Sequence, residues 1–536
     1  MGIDGVNPLL CPFRLLEIFR KEYYAMKKIK YRSKLRLFLG RRMFILLMLL
    51  AQIVLLLTLI LRGRQLQWLV PVLSALSIVT VLHLITRPDK YAFKILWTFL
   101  ILLFPVFGGV MYWTFHFQTA STGFRKTLQK IEDEQHAEYR TLCVPEEPHL
   151  PNGQDQKLLS YLRNTAVLPA YKHTESHYLG DGKEMLASLL ADMRSAERFI
   201  FIEYFIIEEG VMWNAILDVL RDRVAAGVDV RVIYDDLGCL LTLPVEYQKT
   251  LRSYGIQCEI FNRFHPLLTT LQNNRDHRKI AVIDGKIAYT GGINLADEYI
   301  NEKIRFGHWR DSAVRMQGAA AESFTAMFLQ TWHLLSREYE PLHNWIGKRD
   351  SATRSDGWVQ PYADSPMSKI RVGERIYSHA ISRSQKSLSI TTPYLTVGEE
   401  MISALKWCAQ SGVDVRIITP GMPDKKIVFF TTRSYYRELL GAGVKIFEYT
   451  PGFVHAKMIV SDDDFCMIGS TNMDFRSLYL NYECGACFYG TSMIADIKKD
   501  ILEMQNDCRE ITLKDCKSNF LIRLLQDVCR MLSPIM

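Results

Sequence analysis

Hydrophobic positions divide the chain into an apolar N-terminal region and a longer region in which short apolar segments alternate with amphipathic ones. Three apolar runs lie at 43–61, 66–86 and 92–115. Because roughly 20 apolar residues are needed to cross a bilayer, these runs predict transmembrane helices. The second run is interrupted by Gln67, Pro71 and His83, so for this run a helix buried in a protein core is the alternative. Residues 116–160 are polar and mixed, which is typical of a connector.

From residue 161 onwards the chain repeats itself. SAERFIFIEYFI at 195–206 corresponds to SQKSLSITTPYL at 384–395, and AAGVDVRVIYDD at 225–236 corresponds to QSGVDVRIITPG at 410–421. In both copies apolar strands alternate with helical patterns that end at glycine, which implies a sheet covered on both faces by helices. We therefore expect an α/β fold of two duplicated lobes, 161–350 and 351–536, related by a pseudo-twofold axis and preceded by transmembrane helices.

Two segments depart from the repeat. An insertion at 262–276 precedes the polar motif of the first copy, and it is typical either of a lid or lipid-contacting loop or of an inert surface loop. From Phe520 to Leu532 apolar residues recur at helical spacing. This pattern predicts an amphipathic C-terminal helix packed on the second lobe, with a role at the membrane surface as the alternative.

Each copy leads into the same polar motif on a short apolar strand. The first motif contains His277, Lys279 and Asp284 at i, i+2 and i+7, followed by Asn294 in a Gly-x-x-Asn turn. The second motif repeats this spacing with His455, Lys457, Asp462 and Asn472. Residues i and i+2 of a strand point to the same face, so histidine and lysine project together. Two such sets in register predict one site, formed where the lobes meet.

The pattern His-x-Lys-x4-Asp followed by Gly-x-x-Asn, present twice, resembles the phospholipase D superfamily over about residues 160–525. FIEYFI at 201–206, GGINLADEYI at 291–300 and HWRD at 308–311 are similar to bacterial cardiolipin synthases. The first motif has Gly292 where the superfamily pattern has serine, which is also similar to that branch. The resemblance implies that a phosphatidyl group passes from one phosphatidylglycerol, with loss of glycerol, to a second phosphatidylglycerol to give cardiolipin.

Such a transfer needs neutralised phosphate oxygens, a nucleophile that works near neutral pH and a proton for the departing alkoxide. The lysines and asparagines of the two motifs can supply the first requirement. One imidazole can attack phosphorus while the other acts as acid and base, because the pKa of free imidazole is about 6.5. The resemblance implies that His277 is the nucleophile and His455 the acid and base, although the symmetry of the motifs leaves the two interchangeable. No metal or other cofactor is expected.

Carboxylates are needed to fix the tautomer of each histidine. Alignment of the repeats places Asp311 opposite Glu483, and the superfamily resemblance favours the same pair, so we expect them to orient the histidines. Asp284 and Asp462 belong to the catalytic set by their place in the pattern. A structural role at the turn is nevertheless the favoured interpretation of these two residues, because aspartate commonly stabilises turns.

The charge distribution limits the class of substrate and the location. The net charge is +8, and residues 1–42 hold 11 Lys or Arg against 3 Asp or Glu, so the whole excess lies in this segment. The neutral body argues against nucleic acid as a substrate. The basic leader predicts a cytoplasmic N-terminus in a multi-pass protein of the bacterial cell membrane. The membrane face that holds the site stays open. So do the alternatives of water or another headgroup alcohol as the acceptor, and of a non-catalytic lipid-binding role.

Overall fold

The structure is a computed structural model that describes residues 68–116, 119–142, 152–263, 270–346 and 357–536, together with residue 150 and isolated positions between 50 and 61. The basic leader over 1–42 and much of the first apolar run over 43–61 lie outside the described residues. What the sequence predicts for these two segments therefore stays a prediction.

Three helices that pack against one another form the described part of the apolar region: α1 (Leu69–Ile85), α2 (Tyr91–Leu103) and α3 (Pro105–His116). The run 92–115, predicted as one span, is two helices, because Pro105 has no N–H to donate and Phe104 leaves the helical region with φ −129° and ψ 75°. A Cβ on Gly108 would lie 2.4 Å from the carbonyl oxygen of Leu100, so the two helices are in close contact. Within the described ranges, no helix combines the length and apolarity needed to span a bilayer.

Two helices link this region to the body: α4 (Thr119–Leu142) and α5 (Gly153–Ala166). The segment predicted as a connector is therefore mostly helical. Glu138 of α4 accepts hydrogen bonds from the backbone N–H groups of Leu342 at 2.9 Å and His343 at 3.1 Å. Asp155 of α5 forms an ion pair with the buried Arg383 at 2.7 Å. The polar composition that suggested a loop thus reflects contacts with both lobes.

The first lobe is built on a mixed sheet. Its strands are β1 (Thr174–Leu179), β2 (Phe199–Tyr204), β3 (Asp229–Asp235), β4 (Gln257–Phe261), β5 (Arg275–Asp276), β6 (Lys279–Ile283), β7 (Ile287–Gly291), β8 (His308–Arg310) and β9 (Ala313–Gly318). Its helices are α6 (Gly182–Arg194), α7 (Val211–Ala225), α8 (Tyr247–Ser253) and α9 (Ala320–Ser336). Seven strands form the sheet, in the order β1-β9-β7-β6-β2-β3-β4. Strands β2, β3 and β4 run parallel and the others antiparallel.

The second lobe repeats this arrangement. Its strands are β10 (Trp358–Asp364), β11 (Ser387–Thr391), β12 (Leu395–Thr396), β13 (Asp414–Pro420), β14 (Lys445–Tyr449), β15 (Gly452–Val454), β16 (Met458–Ser461), β17 (Phe465–Gly469), β18 (Met473–Asp474), β19 (Asn481–Tyr489) and β20 (Cys508–Ile511). Its helices are α10 (Val372–Arg383), α11 (Glu399–Gln410), α12 (Lys426–Gly441), α13 (Phe475–Tyr479), α14 (Met493–Asn506) and α15 (Phe520–Leu532). The main path of its sheet is β10-β19-β17-β16-β11-β13-β14-β20, so the predicted duplicated α/β fold is confirmed.

Alternation along β2 shows how a sheet separates two apolar layers. Ile200 and Ile202 belong to the cluster that contains Trp213 of α7, whereas Phe201 stacks on Phe328 of α9 with ring centroids 4.4 Å apart. Successive side chains of a strand point to opposite faces, so a strand with helices on both sides is buried at every position and mostly apolar. The cluster around Phe328 continues into β17 and β19, which makes one hydrophobic core common to both lobes.

Candidate active site

Two short parallel strand pairs join the lobes and lead directly into the histidines. In the first, β5 pairs with the start of β19, and Asp276 lies beside Tyr482. The next residues on these strands are His277 and Glu483. The backbone N–H of His277 donates to the carbonyl of Tyr482 at 2.9 Å, and Nδ1 of His277 lies 3.0 Å from both carboxylate oxygens of Glu483. A histidine of the first lobe is thus oriented by an acid of the second.

The second strand pair has the same arrangement with the lobes exchanged. β8 pairs with β15, so that Arg310 lies beside Val454, and the next residues are Asp311 and His455. The backbone N–H of His455 donates to the carbonyl of Arg310 at 2.7 Å, and Nδ1 of His455 lies 2.7 Å from Oδ2 of Asp311. The acids that the repeat alignment paired are therefore brought to the histidines, but each acid reaches the histidine of the opposite lobe.

The lysines of both motifs are buried, with exposed fractions of 1% for Lys279 and 0% for Lys457. Their ammonium groups donate to the backbone carbonyls of His277 and His455. Burial lowers the pKa of Lys279 to about 8 and that of Lys457 to about 7, although nearby carboxylates oppose this effect. A buried ammonium group is costly without a counter-charge, so an anion that enters the site is stabilised by both lysines.

Burial also controls the protonation of the histidines. It is the main reason why the pKa of His277 lies well below its usual value, and the positive charge of Lys279 adds to the effect. Burial and Lys457 lower the pKa of His455 to about 3, although Asp311 opposes them. Both imidazoles are therefore neutral in the free protein at pH 7 and have a lone pair available on Nε2 when Nδ1–H donates to the acid.

The two acids differ in protonation. Burial raises the pKa of Glu483 to about 7, against the opposing effect of Lys279. Burial acts in the same direction on Asp311, but its interactions with His455, which include a hydrogen bond, and with Lys457 outweigh it and bring the pKa of Asp311 below its usual value. Asp311 is therefore the acid that stays ionised beside its histidine.

The difference between Gly292 and Ser470 matches the length of the neighbouring acid. The hydroxyl of Ser470 donates to Glu483 and accepts a hydrogen bond from the backbone N–H of Cys484 at 3.0 Å. A Cβ on Gly292 would lie 2.1 Å from Oδ1 of Asp311. The shorter acid thus occupies space that a serine side chain would need, and the first motif has glycine for this reason.

The motif asparagines are held by protein groups. Asn294 donates to the hydroxyl of Tyr299 at 2.5 Å and accepts from the backbone N–H of Ile206 at 3.1 Å. Asn472 donates to Asp474 at 3.1 Å, while its amide oxygen is buried and has no hydrogen-bond partner among the described residues. Both side chains line the same cavity as the histidines. Their position therefore allows the predicted contact with a bound phosphate.

The structure does not bring Asp284 and Asp462 to the histidines. The carboxylate of Asp284 accepts hydrogen bonds from the backbone N–H groups of Glu197 (2.9 Å), Arg198 (2.8 Å) and Phe199 (2.9 Å). Asp462 does the same for Gln385 (3.0 Å), Lys386 (2.8 Å) and Ser387 (3.0 Å). The five residues of β6 separate Asp284 from the site by roughly 16 Å at the rise of a strand. These contacts anchor the starts of β2 and β11, so neither residue belongs in the catalytic set.

Both histidines line a single cavity of about 710 Å³. Aromatic side chains form much of its wall: Phe205, Tyr299, Trp309, Tyr394 and Phe453. The ring of Phe205 lies 5.1 Å from that of His277, and the ring of Trp309 lies 5.3 Å from that of His455. The cavity is therefore a charged centre with apolar walls, large enough for a phosphodiester and its polar substituents.

Sequence reasoning missed several residues of this cavity, among them Glu298, Arg305 and Lys425. The repeat contains one signal that could have identified Glu298. Glu298 and Arg476 each lie four residues after a motif asparagine and are therefore equivalent positions. Of the insertion at 262–276, residues 264–269 lie outside the described residues. Arg275, at its end, lines the cavity and donates to the carbonyl of Gln272 at 2.6 Å.

Comparison with known proteins agrees with this geometry. The family model described as "Cardiolipin synthase, PLD-like domain" matches residues 189–332 and 377–505, and the model described as "Phospholipase D-nuclease N-terminal" matches residues 75–115. A cardiolipin synthase of Alkalihalophilus pseudofirmus is 35% identical over 484 residues, which cover 89% of this chain and 96% of that protein. An uncharacterized protein of Streptococcus mutans is 39% identical over 462 residues, covering 85% of this chain and 99% of that protein.

Among solved structures, the phosphatidylserine synthase of Haemophilus influenzae has the same fold, with a TM-score of 0.56 at 16% identity over 72% of this chain and 100% of that chain. Two such lobes, each contributing a histidine to one cavity together with a buried lysine and an acid in contact with the histidines, define a phosphatidyltransferase of the phospholipase D superfamily. Within this superfamily, the chain belongs to the cardiolipin synthase family.

The contacts of Asp462 predict that its replacement lowers the stability of the fold but leaves the catalytic rate of the folded protein unchanged. Asp462→Ala removes the acceptor for three backbone N–H groups and should lower the free energy of unfolding by roughly 2–4 kcal/mol. The neighbouring Asp463→Ala is the control, because Asp463 is 75% exposed and pairs only with Lys498 among the described residues. Thermal unfolding and the rate per folded molecule are measured on both variants. A large fall in that rate at unchanged stability would contradict the assignment.

The fit between Gly292 and Asp311 predicts that Gly292→Ser, which restores the general superfamily pattern, is harmful. The added side chain displaces the carboxylate that orients His455, and lipid transfer should fall roughly 100-fold, as misplaced catalytic groups commonly cause. The double variant Gly292→Ser, Asp311→Glu reproduces the serine and glutamate of the second lobe and should recover part of the rate. Equal rates for Gly292→Ser and the unchanged protein would refute the steric argument.

Proposed function

We propose that the protein transfers a phosphatidyl group from one phosphatidylglycerol to another, giving cardiolipin and glycerol through a phosphohistidine. The observation that carries the proposal is the crossed pair of histidine–acid contacts, with both histidines lining one cavity and a buried ammonium group hydrogen-bonded to the backbone of each histidine. Relatives named cardiolipin synthase that align with 86–89% of the chain support this choice of lipid substrate.

In the first step the phosphate lies beside Lys279 and Lys457, and Nε2 of His277 attacks phosphorus. The bond from phosphorus to the glycerol oxygen breaks, and that oxygen takes a proton from Nε2 of His455. In the second step the hydroxyl of another phosphatidylglycerol gives its proton to His455 while its oxygen attacks phosphorus. The bond from phosphorus to His277 then breaks, and both histidines return to their initial state.

The protonation states support this division of roles. A histidine that acts as the general acid must be in its protonated, positively charged form, and the anionic phosphate raises the pKa of a histidine next to it. Asp311, whose pKa is held below its usual value, stays ionised and stabilises an imidazolium at His455. His277 is beside Glu483, whose pKa burial raises to about 7, and it is better suited to act as a neutral nucleophile. The aromatic walls limit access of water to the phosphohistidine, which favours a lipid alcohol as acceptor.

We also propose that the protein is a multi-pass protein of the bacterial cell membrane, with its membrane-embedded region within residues 43–115. Apolar side chains on α1 are exposed, for example Leu76 at 59% and Val79 at 60%. α15 packs against α12 and α2, and its Phe520 and Leu521 are 76% and 67% exposed. Such continuous exposed apolar surface is unfavourable in water and is stabilised in contact with lipid.

Replacement of either histidine tests the shared chemistry. His277→Ala and His455→Ala should each reduce cardiolipin formation from phosphatidylglycerol at least about 1000-fold, because each removes one half of the proton and phosphoryl transfer. His177→Ala, at an exposed position outside the cavity, is the matched control. Phosphatidyl-p-nitrophenol separates the two roles, since p-nitrophenolate departs without a proton.

With this substrate His455→Ala should release a burst of about one equivalent of p-nitrophenolate per enzyme, while His277→Ala should release none. The reverse pattern would exchange the roles of the two histidines. Normal cardiolipin formation by either variant would disprove the proposed function.

The lysines predict a pH dependence. Both ammonium groups must be charged to bind phosphate, and in the free enzyme burial brings the pKa of Lys457 to about 7 and that of Lys279 to about 8. The charged form is lost as the pH rises through these values, so kcat/KM, which reports on the free enzyme, should fall between about pH 7 and pH 8. Bound phosphate stabilises the charged lysines, and kcat should fall only at higher pH. Initial rates measured across this pH range give both kcat/KM and kcat. A fall of the two quantities at the same pH would contradict the prediction.

A further inference from the structure

The two lobes contribute chemically different side chains to the cavity although their motifs are equivalent. At corresponding positions, four residues after each motif asparagine, the first lobe has Glu298 and the second has Arg476, and both side chains line the cavity. Arg476 donates to the backbone carbonyls of Met536 at 3.2 Å and Asn273 at 3.4 Å. The two equivalent positions therefore differ in charge, a carboxylate in the first lobe and a guanidinium in the second, so the two lobes can contact a bound substrate differently.

Glu298 is held on one side only. It is 3% exposed, and Nη1 of Arg305 donates to its Oε1 at 3.1 Å. Its Oε2 is buried and has no hydrogen-bond partner among the described residues. Buried carboxylate oxygens are normally hydrogen-bonded, because loss of hydration without a replacement donor is costly. Oε2 is thus an acceptor that a bound ligand can satisfy with a hydroxyl or ammonium group.

The position of Glu298 places this acceptor on the His455 side of the cavity. The next residue, Tyr299, has its ring 5.6 Å from that of His455, and its hydroxyl is fixed by Asn294 at 2.5 Å. In the proposed reaction the departing alcohol takes a proton from His455 and the incoming alcohol returns one to it. Both alcohols therefore occupy the same side of the phosphorus atom, next to Glu298.

We propose that Glu298 is the binding residue for the glycerol headgroup, accepting a hydrogen bond from the hydroxyl that does not react, both in the departing glycerol and in the acceptor lipid. The assignment rests on the proposed function and adds the part of the substrate that is recognised. A hydroxyl is favoured over an ammonium group because the guanidinium of Arg305 lies against the same carboxylate and repels a second cation. No covalent bond to Glu298 forms in either step.

Exchange of labelled glycerol into phosphatidylglycerol tests this inference on the full chain in mixed detergent and lipid micelles. Glu298→Ala should raise the glycerol concentration needed for half-maximal exchange roughly 10- to 100-fold, the usual effect of losing a hydrogen bond to a charged group. Phosphatidic acid formed from phosphatidylglycerol in the same samples should also fall, because the departing glycerol is bound by the same residue. The p-nitrophenolate burst from phosphatidyl-p-nitrophenol, a donor without this hydroxyl, should fall less than glycerol exchange does. Glu298→Gln, which keeps an acceptor oxygen, should be intermediate.

Glu302→Ala is the matched control, because Glu302 is 45% exposed, pairs with Lys183 and does not line the cavity. An unchanged glycerol dependence in Glu298→Ala would overturn the assignment, and so would equal loss of glycerol exchange and of the p-nitrophenolate burst. Transfer to ethanolamine that depends on Glu298 more strongly than transfer to glycerol would overturn it as well. If the unchanged protein forms phosphatidic acid but neither exchanges glycerol nor makes cardiolipin, the proposed function itself fails together with this inference.

Discussion

The site depends on two short ladders of backbone hydrogen bonds that cross from one lobe to the other. One ladder ends with His277 beside Glu483, and the other ends with Asp311 beside His455. Paired strands lie about 4.8 Å apart in fixed register, so the first side chains beyond each ladder are held within hydrogen-bond reach. Neither lobe contains a complete histidine–acid pair, and the duplicated fold is therefore a requirement of the chemistry as well as of packing.

The same closure that positions these groups also removes them from water. Burial lowers the pKa of Lys279 to about 8 and that of Lys457 to about 7, so both lysines lose their charge close to neutral pH. Both histidines are neutral in the free protein. An entering phosphate supplies the missing negative charge and shifts all of these equilibria together. Binding of the phosphate and protonation of His455 thus occur together, because the same negative charge favours both. The aromatic walls strengthen these electrostatic interactions by limiting access of water.

Much of this arrangement follows from residue types at fixed spacing. Alignment of the repeats was sufficient to predict two α/β lobes, both motifs and the equivalence of Asp311 and Glu483. It could not show that the acids cross, because equivalence between copies does not say which lobe a side chain faces. Apolarity likewise predicted one span where Pro105 separates two helices. The cavity walls and Glu298 come from segments far apart in sequence, and only the folded sheets bring them together.

The crossed orientation is tested most directly by the rate of the p-nitrophenolate burst from phosphatidyl-p-nitrophenol in variants of the two acids. This leaving group needs no proton, so the burst reports on the nucleophilic histidine alone. With His277 as the nucleophile, Glu483→Gln in the second lobe should slow the burst roughly 100-fold or more, while Asp311→Asn in the first lobe should change it less than about threefold. In a protein whose burst requires His277, a burst that is lost in Asp311→Asn and kept in Glu483→Gln would mean that each acid serves the histidine of its own lobe, and would contradict the account.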